Sequence, residues 1–412
     1  MQKFKLYPVI NGTTDYSNKL ALIEKFVICN SLENGLPFGY MDVVDNDSIL
    51  LSKFENLQIG ASVDIKASYD EGTVSDTVKD LKIEDWVILR VQSIGNNRNS
   101  KSSTLRVYFG SKMFLYNDNT NHCFEPMTND LLVRQILKDK TRGCEFRLVY
   151  ADAPDNTPIK RYKIQESDWE FLKNKVEAFS SYKKTPMYLY SDLNSNFYFK
   201  SIATMFNENP STMLYYSPDN KEDSDAYDAF TNMYKTDEIG MPLSFDIDIG
   251  NRQAVSELSR QFIIFDNQTN MTFSGVKGPT SKIENDGSAL AKYYPIDYAF
   301  SQVSDGSSIA SINNHQLEDA YNMLNRSLKD FDRMFTLHIK TQFNSSLLNV
   351  GSCVAVFFSK GHWANGKWIL LQNKLVIDSN GNAFVDVEIA RPTFSGSKSK
   401  TTLENFGALA RG

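Results

Sequence analysis

Two short segments of the sequence repeat one pattern, and this repeat constrains the fold more than any other feature. Residues 57–65 read LQIGASVDI and residues 348–356 read LNVGSCVAV. Both fit Leu-x-(Ile/Val)-Gly-x-x-Val-x-(Ile/Val), in which apolar residues alternate as they do in a half-buried β-strand. Each segment is followed by an apolar strand that begins with tryptophan, Trp86 in WVILRVQSI and Trp368 in WILLQNKLV.

Gly60 and Gly351 occupy the same place in the two segments. Glycine at that point predicts a turn, because it adopts left-handed backbone conformations without steric cost. The repeated unit is then a glycine turn, an alternating strand, a hairpin excursion and a second strand anchored by tryptophan. Its recurrence predicts two copies of one small β-barrel with other material inserted between them. Chance similarity is the alternative, since short strand patterns are degenerate.

Length and composition set the wider frame. A chain of 412 residues is too long for one compact core, so we expect roughly two to four domains. The 27 Phe and 20 Tyr favour β-structure over helical bundles. The net charge is −6 and no basic block occurs, which argues against a dedicated nucleic-acid-binding surface.

The cysteines and the first residues of the chain predict the cellular compartment of the protein. The four cysteines are scattered without any C-x-x-C spacing, so we expect reduced thiols and neither a zinc site nor a disulfide framework: Cys29, Cys123, Cys144 and Cys353. The opening MQKFKLYPVI lacks a signal-peptide core, and no apolar run approaches the roughly 20 residues that span a bilayer. We therefore expect a soluble protein made in a cytoplasm, without membrane insertion.

Three carboxylates lie close together in QESDWEFLKNKVEAF at 165–179, and they raise the question of a catalytic or metal site. Glu166, Asp168 and Glu170 are the acids, but Ser167 and Glu170 have the spacing of a capping box, which begins a helix. Acidic residues also suit the positive end of a helix dipole. An apolar stripe at helical spacing follows: Trp169, Leu172, Val176 and Phe179. The sequence therefore predicts a helix start.

Other candidate sites are weaker still. His122 and Cys123 are adjacent, so on a strand they would point to opposite faces and would not converge. Asp246 and Asp248 alternate on a predicted strand and offer too few oxygen ligands for a hard cation. The acidic segment 222–228 lacks the glycine and the final glutamate of an EF-hand loop. A glycosidase needs only two carboxylates and leaves no local motif, so a hydrolase remains an alternative.

The chain divides into segments of different character. A helix is predicted at 128–138, and strands at 187–192 and 197–203 form a predicted hairpin. Within the polar middle, 207–238 is predicted to be a long surface loop with a short helix at its end, 243–265 is ambiguous, and 266–315 is irregular. A further helix is predicted at 317–335. We expect the following divisions: a first tube-like β-barrel (1–117), an α+β hub domain (118–206), an irregular insertion (207–316), a helix with a second tube-like β-barrel (317–392) and a flexible tail (393–412).

Three stretches together resemble a known family. They are YKIQESDWEFLKNKVEAF (162–179), the hairpin PMYLYSDLNSNFYF (186–199), and the pair LLNVGSCVAVFF and GKWILLQNKLVID…VEIARP (347–392). Their order and motifs are similar to the hub proteins of phage tails and related contractile machines, which include myophage baseplate hub subunits, late-control tail proteins and the amino-terminal part of VgrG. The matching positions of the first stretch are Tyr162, Glu166, Ser167, Asp168, Trp169, Phe171 and Leu172. The segments 207–238 and 266–315 have no counterpart in the pattern.

The resemblance implies a β-rich α+β fold with two related tail-tube-like β-barrels and smaller inserted α+β domains. It also implies a homotrimer, in which two barrels per chain form a pseudo-sixfold ring between a hexameric tail tube and a trimeric spike. Such matching needs two equivalent modules in each protomer. The resemblance further implies a virion structural protein at the tail tip or baseplate, in contact with tube, spike and baseplate proteins. DNA would pass through the lumen without sequence-specific binding, and no enzymatic activity, cofactor or metal is expected.

Three alternatives remain open at this point. They are a tail-associated peptidoglycan hydrolase, a VgrG-like secretion spike component and a carbohydrate-binding β-module. The third would need exposed aromatic rings, whereas only Trp363 lies outside an apolar periodic face. The tail has too few apolar residues to fold alone, so we expect four of them to dock onto a neighbouring subunit: Phe394, Leu403, Phe406 and Leu409.

Overall fold

The computed structural model describes most of the chain. The ranges are 4–10, 14–15, 23–46, 58–69, 81–96, 102–116, 120–139, 145–154, 158–182, 185–215, 221–238, 244–248, 260–266, 271–277, 298–303, 335–362 and 364–391. The predicted helix at 317–335 lies outside these ranges apart from its last residue, which begins a strand. The predicted tail at 393–412, with its four docking residues, lies outside them entirely, as do Cys144 and Trp363.

Strands are the dominant element, as the aromatic-rich composition predicts. In chain order they are β1 (Phe4–Ile10), β2 (Thr14–Asp15), β3 (Ile23–Ser31), β4 (Phe38–Asn46), β5 (Ser62–Tyr69), β6 (Leu81–Asn96), β7 (Ser102–Ser111), β8 (His122–Met127), β9 (Arg147–Ala151), β10 (Ile159–Lys163), β11 (Ser181–Tyr182), β12 (Thr185–Ser191), β13 (Asn196–Ser201), β14 (Thr212–Tyr215), β15 (Asp237–Glu238), β16 (Ser244–Asp248), β17 (Arg260–Asp266), β18 (Met271–Lys277), β19 (Tyr298–Val303), β20 (Phe335–Gln342), β21 (Cys353–Phe357), β22 (Gly366–Asp378) and β23 (Ala383–Arg391).

A 14-stranded sheet contains two halves with the same strand order. The order is β2-β1-β5-β6-β7-β4-β3 in the first half and β15-β14-β21-β22-β23-β20-β16 in the second. The order along the chain also agrees, because β1 to β7 correspond in turn to β14, β15, β16, β20, β21, β22 and β23. Two pairs differ in direction, because β14 runs opposite to β1. β1 is antiparallel to both β5 and β2, whereas β14 is parallel to both β21 and β15. The halves join where β3 pairs with β22.

This arrangement refines the predicted architecture. The β-rich α+β class is confirmed. Among the described strands, however, the pairings form one branched sheet and no closed ring, so two separately closed barrels are not confirmed. β17, β18 and β19 form a separate three-stranded sheet inserted between β16 and β20. The stretch predicted as irregular, 266–315, therefore contains two strands, β18 and β19.

The segment predicted as a surface loop, 207–238, differs most from its prediction. Thr212–Tyr215 is a strand of the main sheet, with Met213 and Leu214 fully buried beside β21. Residues Lys221–Tyr234 form a helix of 14 residues. The helix predicted at the end of the segment is therefore present, whereas the loop prediction is wrong for Thr212–Tyr215, because the acidic, polar composition concealed a short apolar strand. β14, β15 and β16 complete the second half of the sheet, although they lie in the segment predicted as an insertion.

In the described ranges, helices are few and lie mainly in the middle of the chain. They are α1 (Asn129–Leu137), α2 (Asp168–Phe171), α3 (Ile202–Asn207) and α4 (Lys221–Tyr234). The predicted helix at 128–138 is confirmed as α1. α2 continues as a π-helix over Leu172–Val176 and a 3-10 turn over Glu177–Phe179, so the predicted apolar stripe lies on a helix whose pitch changes along its length. Short 3-10 turns also occur at Lys112–Leu115 and Ser345–Leu348.

The predicted hairpin after α2 is confirmed as β12 and β13. These strands pair antiparallel, from Met187 opposite Ser201 to Ser191 opposite Phe197. Its turn forms because the Asp192 carboxylate accepts hydrogen bonds from the backbone N–H groups of Asn194 and Asn196, both at 2.9 Å. Such side-chain to backbone bonds are the reason that Asp and Asn favour turns.

Two buried clusters hold the described residues together. The larger one spans both halves of the main sheet and includes Trp86, Phe109 and Trp368. The smaller one lies under α1, α2 and the β12–β13 hairpin, around Phe171 and Phe197. The opposite side of the hairpin region contributes to the larger cluster through Tyr190, Leu193, Ile202 and Met205. The α+β unit is therefore packed against the sheet.

Candidate assembly interface

The glycine turn of the first repeat is built by two backbone hydrogen bonds. Gly60 has a φ of +89°, a left-handed value that favours glycine. Its N–H donates to the carbonyl of Ile88 at 2.8 Å, and the Ile88 N–H donates to the carbonyl of Ala61 at 2.9 Å. The turn therefore locks the start of β5 against β6 two residues after Trp86.

The second repeat builds the same turn with the same bonds. Gly351 has a φ of +76°. Its N–H donates to Leu370 at 2.8 Å, and the Leu370 N–H donates to the carbonyl of Ser352 at 3.0 Å. Leu370 lies two residues after Trp368, as Ile88 does after Trp86. Both segments of the repeat thus form a glycine turn with equivalent backbone hydrogen bonds.

Both tryptophans are anchors of the sheet, and their surroundings differ. Trp86 is opposite Val63 and Trp368 is opposite Val354, the same position of the repeat, and both indoles are fully buried. The Trp86 ring packs on Phe109, with ring centroids 5.8 Å apart. Burial of these large apolar rings stabilises each half by the hydrophobic effect, on the order of 1.5–3 kcal/mol per large side chain.

Arg391 distinguishes the second copy. Its guanidinium lies 4.5 Å from the centroid of the Trp368 ring, and Nη1 donates to the carbonyl of Asn365 at 2.9 Å. The Trp368 Nε1 donates to the carbonyl of Ala364 at 2.9 Å. Burial lowers the pKa of Arg391 to about 9, partly opposed by Tyr234. This stacked, hydrogen-bonded arginine closes the end of β23, a role that the sequence did not reveal.

The junction between β3 and β22 joins the two halves. The strands pair antiparallel, from Gln372 opposite Ser31 to Asp378 opposite Lys25. Its inner face is apolar, since Ile28 lies opposite Leu375 and both are fully buried. The junction therefore works as an interface between two similar modules within one chain.

A buried polar pair lies at the end of this junction. Asn30 is opposite Asn373, and their exposed fractions are only 2% and 3%. Asn30 Nδ2 donates to the carbonyl of Ser191 at 3.4 Å, whereas Asn30 Oδ1 and both polar atoms of the Asn373 side chain find no partner among the described residues. An unsatisfied buried polar group costs about 1–3 kcal/mol. The only signal in the sequence is an Asn inside the apolar strand VICNS.

The three clustered carboxylates have structural partners. Glu170 accepts from the Ser167 backbone N–H and hydroxyl, both at 2.9 Å, and the Ser167 hydroxyl accepts from the Glu170 N–H, which completes the predicted capping box. These bonds lower the pKa of Glu170. Glu166 pairs with Lys175 at 2.6 Å, and Asp168 forms a buried ion pair with Lys163. The group does not converge on a shared cleft.

The histidine and cysteine candidates considered from the sequence lie in the following surroundings. His122 packs on Phe124, with centroids 4.4 Å apart, and Cys123 is exposed beside it. The described cysteines are free, and burial raises the pKa of Cys353 to about 12. Across the described ranges, no three His, Cys, Asp or Glu side chains are grouped as a metal site would require. No helix in this part of the chain is long and apolar enough to cross a membrane.

The acidic segment 222–228 belongs to α4, which packs on the sheet. Rings of Tyr227 and Phe230 contact Phe357 of β21, with centroids 5.6 and 5.3 Å apart. At the start of the helix, Asp223 accepts from the backbone N–H of Lys360 at 2.7 Å. The acidic residues therefore serve the helix start and its attachment to the sheet. For Asp246 and Asp248 on β16, the structure gives only the backbone, which pairs with β20.

Comparisons with known proteins agree with this architecture. No family model matches the sequence, and no curated protein sequence matches it. The fold is similar to the tail protein from Neisseria meningitidis MC58, with a TM-score of 0.56, 10% identity, and coverage of 94% of this chain and 97% of that one. The 43 kDa tail protein of prophage MuSo2 from Shewanella oneidensis gives a TM-score of 0.52, 10% identity, and coverage of 94% and 98%.

A type VI secretion system component of E. coli gives a TM-score of 0.48 and 10% identity over 94% of this chain and 76% of that one. The two tail proteins match this chain almost from end to end. At these identities the comparisons establish the fold, and the predicted resemblance to tail hub proteins is confirmed at that level.

Proposed function

We propose that the chain is a structural hub subunit of a phage tail or baseplate, without enzymatic activity. Three copies form a pseudo-sixfold ring that joins the tail tube to the central spike and leaves a channel for DNA. In this proposal each half of the main sheet is one tube-like barrel module, and the α+β unit around α2 braces the pair. The protein is then located at the tail tip of the virion.

The observation that carries the proposal is the duplicated strand order of the main sheet. Two modules with the same order are already joined side by side within one chain, through the β3–β22 junction. A ring of three such chains presents six similar modules to a hexameric tube and three chains to a trimeric spike. The end-to-end fold similarity to two tail proteins supports the same function.

The charge of the chain is compatible with a DNA channel. The net charge is −6, and an acidic ring would not bind phosphates strongly, so DNA would pass without being held. Glu166, Asp168 and Glu170, the three clustered carboxylates, are engaged in helix capping and ion pairs. A hydrolase therefore has no observation in its favour among the described residues.

The solution mass of the full chain tests the ring. Three chains of 46.8 kDa give about 140 kDa, and light scattering over a range of concentrations should approach that value. Negative-stain images of this species should show rings with sixfold-looking faces. A single-chain mass at high concentration, both alone and mixed with the tail tube and spike proteins of the same genome, would contradict the proposal.

The carboxy-terminal tail gives a second test of assembly. We propose that Phe394, Leu403, Phe406 and Leu409 dock onto a neighbouring subunit. Deletion of residues 393–412 should then lower the concentration-dependent mass and leave thermal unfolding of the single chain unchanged. A matched control keeps the full length and replaces the same four residues by serine, which should give the same loss. Unchanged assembly in both variants would refute the docking role.

A further inference from the structure

The long strands β22 and β6 are equivalent, down to an irregularity in their pairing. β22 pairs with β21 up to Ile369, and its register to β23 then shifts between Leu370 and Gln372. β6 pairs with β5 up to Val87, and its register to β7 shifts between Ile88 and Arg90. β6 shifts a second time between Ser93 and Gly95, where β22 does not, so the residue-by-residue equivalence holds up to Ser93. A β-bulge at the same point marks the two strands as copies of one element.

Among the described strands, the edge beyond the bulge is covered on β22 and uncovered on β6. One edge of β22 pairs first with β21, at residues 366–369, and then with β3, at residues 372–378. The residues of β6 beyond its first bulge are 90–96, and no described strand pairs with them on the equivalent edge. Burial follows this difference, since Leu375 is fully buried whereas its counterpart Ser93 is exposed, and Ile94 is 41% exposed.

β16 is the strand equivalent to β3. Among the described residues, one edge of β16 is unpaired. β3 pairs with β4, and β16 pairs antiparallel with β20, the counterpart of β4. Alignment of the two pairings places Phe26 and Ile28 at the positions of Phe245 and Ile247. Both strands thus carry the same Phe-x-Ile pattern at equivalent positions of the pairing. Within the described residues, β16 has no second neighbour.

The chain therefore contains one complete pair of strands, β3 with β22. It also contains the two strands of an equivalent pair, β16 and β6, which do not pair with each other among the described residues. Unpaired sheet edges are templates for pairing with another chain. A surface and its complement on opposite sides of one protomer make a head-to-tail contact, which generates a ring when the rotation closes. The natural occupant of the β6 edge is consequently β16 of a second copy.

We infer that β16 of one copy pairs antiparallel with β6 of the next copy along residues 90–93, in the register fixed by β3 and β22. This register places Gln92 opposite Asp248 and Ser93 opposite Ile247. The inference rests on the proposed ring and specifies the strands that form its contact between chains.

The chemistry of the two strands agrees with that register. Arg90 becomes the diagonal neighbour of Asp248 on one face, a distance that a long side chain spans. Opposite charges on neighbouring strands stabilise the pairing, and like charges would oppose it.

Engineered disulfides in the full chain test the contact directly. Residues directly opposite on antiparallel strands lie within the distance that a disulfide spans. The variant Gln92→Cys with Asp248→Cys should form bonds between chains under mild oxidation, giving dimers and trimers on a non-reducing gel. The matched control is Gln92→Cys with Ile247→Cys, whose thiols point to opposite faces and should not react. Each single cysteine variant controls for the native cysteines.

The outcomes separate this inference from the proposed ring. A wild-type trimer mass without cross-links between chains in the Q92C/D248C variant would overturn the strand pairing and leave the ring intact. A cross-link within a single chain would also overturn it, because β16 would then reach its own β6. A single-chain mass throughout would refute both proposals.

Charge reversal gives a second measurement that needs no oxidation. Arg90→Glu should weaken the association of chains by about threefold or more, because it places a like charge beside Asp248. Adding Asp248→Arg should restore the wild-type association. Equal association of Arg90→Glu and wild type, or no rescue by the second change, would count against the register.

Discussion

The duplicated glycine turn permits a matched test of the physical reasoning, because equivalent glycines have different surroundings. A Cβ added at Gly60 would lie 3.7 Å from Leu115 Cδ1, which is an ordinary contact. A Cβ added at Gly351 would lie 2.6 Å from Cζ and from the hydroxyl oxygen of Tyr190. The Tyr190 ring is buried and stacked on Tyr198, with centroids 5.4 Å apart, so it has little room to move.

The expected costs follow from these distances. Both glycines are left-handed, so alanine at either site pays about 1–2 kcal/mol for the backbone conformation. Gly351→Ala also overpacks the core, which typically costs a further 1–3 kcal/mol. We therefore expect Gly60→Ala to lower the free energy of unfolding by about 1–2 kcal/mol and Gly351→Ala by about 2–5 kcal/mol.

Urea unfolding followed by tryptophan fluorescence measures the difference, with Trp86 and Trp368 as reporters of the two halves. In a Tyr190→Leu background the ring is absent, and the cost of Gly351→Ala should fall to that of Gly60→Ala. Equal costs for the two glycine variants in the wild-type background would refute the clash. A cost of Gly351→Ala that does not change in the Tyr190→Leu background would refute Tyr190 as its source.

Two further predictions concern the start of α2. Ser167→Ala should lower the free energy of unfolding by about 1 kcal/mol at pH 7. The Ser167 bonds lower the pKa of Glu170 below its ordinary value of 4.5, so this stabilisation is present above that pH and is lost as the pH falls through the lower folded-state pKa. Ser167→Ala should therefore show a shallower loss of stability between pH 5 and 3 than wild type, and identical slopes would contradict this. Lys163→Met should cost about 3–5 kcal/mol, because it leaves the buried Asp168 carboxylate without its ammonium partner. Lys163→Met combined with Asp168→Leu should recover part of that loss in chemical unfolding, whereas strictly additive costs would argue against the pair.

Local features were predictable from the sequence because their causes are local. The capping box of Ser167 and Glu170 depends on residues three positions apart, and it forms as predicted. The Asp192 turn between β12 and β13 and the helix Asn129–Leu137 are of the same kind. The change of pitch after Phe171 was not predictable, because helix periodicity in the sequence does not distinguish an α-helix from a short π-helix.

Short buried strands were the main source of error. Thr212–Tyr215 has only four residues within an acidic stretch, too few for a periodic pattern to stand out. Its burial comes from parallel pairing with Cys353–Phe357, far away in the sequence. The polar composition of its neighbours is explained by α4, whose exposed side is charged.

The sequence by itself determined the repeated unit. The glycine at the turn, the alternating strand and the buried tryptophan are each specified by a few neighbouring residues, and both copies form the same hydrogen bonds. The tertiary structure alone decided how far the duplication extends, because the pairing of β16 with β20 spans an inserted sheet. It also decided that β3 covers β22, while no strand among the described residues covers the equivalent edge of β6. Strand pairing between distant segments depends on which edges meet in space, and the sequence of one strand does not identify the strand with which it pairs.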